Sequence, residues 1–103
     1  MPNAEVEQLL LGLGTSQCQF HRNGTWYDGP EAQAHLQKKY EYLRKKGLAE
    51  TAEQFIANGG TKSSQSGEPY EVRCGAAAAE PSAQWLTEQL RQIRAAQAGS
   101  RKQ

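Results

Sequence analysis

Aliphatic bulk is what this chain has least of. Leu, Ile, Val and Phe together occur fifteen times in 103 residues, under the roughly 20% below which a highly charged chain tends to stay disordered. High net charge is the missing half of that condition. Twelve basic residues face eleven acidic ones, for a formal net charge of +1, which argues against disorder of the whole chain. The same balance argues against non-specific nucleic-acid binding, which needs a strong basic excess. No nucleic-acid partner is expected. No apolar run approaches 18 residues, so no transmembrane segment is expected either. The length suits one domain, and a monomer is the expectation.

Cysteine is also scarce. The only two, Cys18 and Cys74, matter because a small domain with a thin core gains most from a staple. A disulfide between them would close a loop of 57 residues counting both ends. In the chain-entropy account such a loop is worth roughly 4 kcal/mol. Bonds of this kind persist outside the cytosol. The alternative is a pair of unlinked, buried thiols acting as small hydrophobes. The opening Met1-Pro2-Asn3-Ala4-Glu5 has neither a charged n-region nor an apolar h-region. If the protein is exported, its signal peptide has therefore been removed.

What is present reads as a mixed fold. Val6, Leu9, Leu10 and Leu13 follow the i, i+3, i+4, i+7 spacing of an amphipathic helix, with Asn3 as N-cap and Gly14 as stop. Asn23-Gly24 separates two short alternating runs, the strongest local signal for a hairpin with a type I′ turn. A two-residue turn pairs Arg22 with Thr25, His21 with Trp26 and Phe20 with Tyr27. Asp28-Gly29-Pro30-Glu31 opens a second helix with a stripe of Ala32, Leu36, Tyr40 and Leu43. Thr51 to Gln54 has capping-box spacing and starts a short third helix ending at Asn58-Gly59-Gly60. Residues 59–68 read as an exposed loop.

Tyr70, Val72 and Cys74 then alternate with charged residues as a strand. An antiparallel register placing Cys18 opposite Cys74 also places Phe20 opposite Val72, so strand pairing and staple support each other. Trp85, Leu86, Leu90 and Ile93 mark a last helix. Trp26 falls on the sheet face opposite Phe20, and a terminal helix is expected to cover it. The predicted architecture is α+β: about four helices packed on a small antiparallel sheet made of the hairpin 17–27 plus a strand at 70–74. It forms one domain over 1–97, with a frayed C-terminal tail at 98–103.

Residues from Gln17 to Cys74 resemble the YfeK-like domains of unknown function from Gram-negative bacteria. The resemblance rests on Phe20-His21-Arg22-Asn23-Gly24, Tyr27, Glu31-Ala32, His35-Leu36 and Lys39. It continues in Thr51-Ala52-Glu53-Gln54-Phe55-Ile56 and in the run from Ser63 through Gly67-Glu68-Pro69-Tyr70 to Val72. It implies a small exported, periplasmic protein made with a signal peptide. It implies no activity.

The chemistry-bearing residues give three readings. Cys18, His21, His35 and Cys74 are zinc-type ligands, but alternation puts His21 on the other strand face from Cys18, and a disulfide makes better use of the sulfurs. No metal and no cofactor are expected. A hydrolase or transferase using His35, oriented by Glu31, with a serine from the Ser63–Ser66 loop is the second reading. Ser-x-Ser-Gly, however, is not a strand-to-helix nucleophile elbow. The third, and the one favoured, is a non-enzymatic binding or interaction module in the bacterial envelope, contacting an envelope ligand or protein. Glu31, His35 and Lys39 form an i, i+4, i+8 polar stripe. Arg22, Asn23 and Tyr27 lie around the hairpin tip, Ser64, Ser66, Gly67 and Tyr70 belong to the loop, and Lys62 and Arg73 flank it. Together they suit an anionic or carbohydrate-like group. Against this, Asn-Gly is ordinary hairpin chemistry, and the Lys38–Lys46 run reads as a solvated helix face.

Overall fold

The computed structural model describes residues 3–63 and 66–100, the last three by backbone alone. Helix α1, Ala4–Thr15, is capped by Asn3, whose side chain accepts from the Glu5 and Val6 amides at 2.9 and 3.1 Å. The same residue is tied elsewhere: its backbone N–H donates to the Tyr40 hydroxyl (2.7 Å), and its side-chain amide donates to the Glu50 carbonyl (3.1 Å). Val6, Leu9, Leu10 and Leu13 are buried, as their spacing requires.

The hairpin β1 (Cys18–Arg22) and β2 (Thr25–Tyr27) has the register expected of its turn. Asn23 and Gly24 adopt φ of 50° and 84°, the left-handed pair that a type I′ turn demands. Helix α2, Gly29–Lys45, begins at a cap in which Asp28 accepts from the Glu31 amide. A Cβ on Gly29 would lie 2.6 Å from the Leu13 carbonyl oxygen. Glycine is therefore what lets the start of α2 dock on the end of α1.

Helix α3, Ala52–Gly59, is capped by Thr51, which accepts from the Gln54 amide (3.0 Å). Gln54 reaches back to the Glu50 amide (2.8 Å), one residue before the cap. Strand β3 is Glu71–Cys74 and helix α4 is Ser82–Ser100. The helix thus continues beyond residue 98, where the tail was expected to begin, and residues 101–103 lie outside those described.

The sheet is antiparallel with strand order β2-β1-β3-β4. β1 and β3 pair in the expected register, Cys18 with Cys74 and Phe20 with Val72. A disulfide joins the two cysteines. The fourth strand, β4 (Glu80–Pro81), was not anticipated. Two residues carry no periodicity, and proline is tolerated there because β4 is an edge.

One buried cluster joins all four helices to one face of the sheet. It includes Leu9, Leu13, Phe20, Leu36, Tyr40, Phe55, Val72 and Leu86. The Tyr40 and Phe55 rings meet edge to face at 5.6 Å. On the other sheet face, Gln19 and Glu71 are exposed and Trp26 is half-buried. Among the described residues, its ring contacts come from the sheet itself. The Arg73 guanidinium lies 3.9 Å from the Trp26 ring centre, and the His21 ring lies 4.8 Å away. The terminal helix expected there instead turns Trp85, Leu86 and Leu90 into the core.

Of residues 59–68, expected as an exposed loop, Lys62 and Ser66, Gly67 and Glu68 are exposed, but the described remainder is not. Gly59, Gly60 and Ser63 are buried. Lys62 bridges to Pro69, the Tyr70 amide donates to the Thr61 carbonyl (2.9 Å), and the Ser63 amide donates to the Glu68 carbonyl (3.0 Å). The segment is a pinned turn.

Candidate functional site

The pinned turn, α2 and the end of β1 enclose a cleft of about 450 Å³. Its lining is Arg22, His35, Leu36, Lys38, Lys39, Tyr42, Ser63 and Tyr70. Helical geometry explains the α2 contribution, since His35, Lys38, Lys39 and Tyr42 fall at i, i+3, i+4 and i+7 and share one face. That face lies beside the buried stripe of Ala32, Leu36, Tyr40 and Leu43, and Leu36 forms the apolar floor.

Lys39 builds the cleft as well as charging it. Its ammonium donates to the Lys62 carbonyl (2.9 Å) and the Tyr70 hydroxyl (3.2 Å), and it stands 5.0 Å from the Tyr70 ring centre. Tyr70 in turn packs on Phe20 with ring centres 4.9 Å apart. The turn is thereby held against both helix and sheet. Arg22 arrives from the last position of β1, aimed by the tight hairpin turn that follows it.

The electrostatics are one-sided. Arg22, Lys38 and Lys39 are three cations in one concave surface, and none of the lining residues is a carboxylate. Among the described residues none of the three forms an ion pair. Burial and then repulsion from Arg22 and Lys38 lower the pKa of His35, and Glu31 opposes them weakly. Its ring meets the edge of Tyr27 at 5.0 Å. No carboxylate hydrogen-bonds to His35 among the described residues, so Glu31 acts on it only as a nearby charge.

Arg22, His35, Lys39 and Tyr70, four of the residues expected in a binding site, thus line one cleft. Tyr27 stands behind His35. Asn23, Ser66 and Gly67 form a clasp beside the cleft: the Ser66 hydroxyl donates to Asn23 Oδ1 (2.6 Å), and Gly67 sits at φ 74° with its amide on the Ser63 carbonyl (2.9 Å). Ser64 lies outside the described residues. Arg73 does not flank the turn as expected; it stacks on Trp26 across the sheet and donates to Gln19 (2.8 Å).

Lys38, Tyr42, Leu36 and Ser63 belong to the cleft and were absent from the expected set. The His35-Lys38-Lys39-Tyr42 spacing was the signal available for two of them, hidden within a lysine run that reads as solvated.

A second cleft, about 500 Å³ between α3 and α4, is lined mainly by Ile56, Ala57, Ala83, Thr87 and Leu90. Its arginines are already engaged, Arg91 with Glu88 and Arg94 with Glu5 and Glu53. It therefore lacks an uncompensated group to orient a ligand, and the cationic cleft is the stronger candidate.

Comparison with known proteins places the chain at family level. It belongs to a family of unknown function, DUF5329, whose pattern matches residues 1–94. No curated protein and no solved structure matches it. The expectation of an uncharacterised family is met at that level.

Proposed function

We propose that this chain is a non-enzymatic binding domain of the bacterial envelope that holds a small anionic ligand in the cleft between α2, the hairpin tip and the pinned turn. The observation that carries the reading is the convergence of Arg22, Lys38 and Lys39 on one concave surface lined by no carboxylate. Uncompensated cations beside an apolar floor strengthen any anion's hydrogen bonds, because the local dielectric is lower than in water. The exported setting draws its support from the Cys18–Cys74 disulfide, since such bonds persist in oxidising compartments.

The site is tested by titrating sulfate and phosphate while following backbone amide signals. The expected result is saturable shifts confined to Arg22, His35, Lys39 and Tyr70 and their neighbours. The double variant Arg22→Gln, Lys38→Gln should abolish them while leaving the melting temperature within a few degrees. Lys39 is left out of the pair because its bonds to Lys62 and Tyr70 hold the turn. Absent shifts, or shifts indifferent to the double variant, would sink the anion site. Export is tested by alkylating freshly isolated periplasmic contents: both thiols should stay blocked until reduced.

A hydrolase or transferase is the rival, because His35 and Ser63 line the same cleft. Activity lost in His35→Ala would favour it, and activity that survives removes His35 from the mechanism.

A further inference from the structure

The anion reading leaves Tyr42 unexplained. It is 60% exposed although its neighbours on the α2 face line the cleft. An aromatic ring at that exposure gives up most of the stabilisation that burial would bring. Lys46 stands 5.5 Å from its ring centre, yet most of the ring remains open beside the cleft. Its Cα lies one helical turn, about 6 Å, along α2 from the Lys38–Lys39 pair. The cleft therefore has a charged end and an aromatic end.

The charged end is matched to a doubly charged, many-oxygen group. Arg22 brings five N–H donors and Lys38 three. Lys39 has three, of which two are spent on Lys62 and Tyr70. The Tyr70 hydroxyl accepts from Lys39, which leaves its own hydrogen for an acceptor in the cleft. A carboxylate's two oxygens and single charge would leave much of this array unused. A phosphoryl group, with three terminal oxygens and up to two charges, would engage it.

Resting on the anion reading above, we propose that the ligand is a small aryl phosphomonoester: the phosphoryl group sits among Arg22, Lys38, Lys39 and Tyr70, and the planar ring stacks on Tyr42. A cleft of about 450 Å³ is of the size that takes a small molecule whole. Leu36 and the Tyr42 ring offer apolar contact to a ring and little hydrogen bonding to the hydroxyls of a sugar.

The test is a calorimetric and amide-shift titration of the full chain with phenyl phosphate, glucose 6-phosphate, inorganic phosphate and benzoate. Phenyl phosphate should bind about tenfold tighter than inorganic phosphate or glucose 6-phosphate, the upper range of an aromatic pair, and benzoate should bind most weakly. Tyr42→Ala should bring phenyl phosphate down to the affinity of inorganic phosphate and leave the latter unchanged, while Tyr42→Phe keeps the advantage. Tyr42 is exposed, so neither change should disturb folding. If glucose 6-phosphate matches phenyl phosphate, or Tyr42→Ala keeps the preference, the aryl assignment fails while the anion site stands. If benzoate matches phenyl phosphate, the phosphoryl assignment fails. If neither phosphate nor sulfate produces shifts at the cleft, both fall together.

Discussion

At the scale of single residues, His35 is the side chain whose state depends most on what occupies the cleft. Burial comes first and repulsion from Arg22 and Lys38 second in lowering its pKa; Glu31 pulls the other way, and the Tyr27 ring packs against it. A bound dianion would offset that repulsion and favour the imidazolium. Binding would then take up a proton, so affinity must rise as pH falls. Sulfate is the clean probe because its charge is constant over this range. Its affinity should rise several-fold from pH 8 to pH 6, at most roughly tenfold for each unit of bound-state pKa change. His35→Gln should flatten the profile. A wild-type profile already as flat as the variant's would place His35 out of reach of the anion.

At the scale of elements, three helices share one ion cluster. Arg94 on α4 is bidentate to Glu5 of α1, at 2.9 Å for both bonds, and pairs with Glu53 of α3 at 2.7 and 3.1 Å. The guanidinium's hydrogen bonds are the main reason both carboxylates sit below their ordinary pKa. A carboxyl group depressed in the folded state contributes stability above its unfolded pKa and loses it as pH falls through the folded one. Acid melting of the wild type should therefore steepen below the ordinary carboxylate range. Arg94→Ala should reduce that dependence and lower the melting temperature at pH 7 by a few degrees, a modest effect because the groups are partly solvated. Equal pH slopes for the two proteins in thermal melts would show that the cluster contributes nothing.

Most elements were readable because local chemistry fixed them. Asn23-Gly24 set the hairpin register, and the two cysteines together with Phe20 and Val72 set the β1–β3 register. β4 escaped because its hydrogen bonds come from where Glu80 and Pro81 land beside β3, not from any pattern of their own. Polar composition shows the exposure of Lys62 and Ser66–Glu68 in the pinned turn, but not that Ser63 will be buried. The cleft was legible in part for the same reason. A polar helix stripe gives no sign of the distant segment that stands beside it, and Lys38 and Tyr42, though exposed, border the cleft only through that placement.

At the scale of the whole molecule, a core this thin leans on its one covalent cross-link. The cysteines are separated by 56 in sequence, and the chain-entropy account gives the closure about 4 kcal/mol. That is a large share of the 5–15 kcal/mol typical of a domain. Reduction should lower the melting temperature by about 20 °C, which a thermal melt with and without reductant would measure. A shift of only a few degrees would mean that the helices and sheet close the core without the bond.

The same link has a consequence for folding rate. β1 and β3 form the middle of the sheet, yet they come from distant parts of the chain, with two helices and the wall of the cleft between them. In a reduced chain that pairing is a long-range search, the kind of contact that slows folding. In an oxidised chain the encounter is made in advance, and the Cys18–Cys74 register is already fixed when the helices begin to dock. The cleft wall is then assembled inside a closed ring, so the order of events becomes bond first, sheet second and binding surface last.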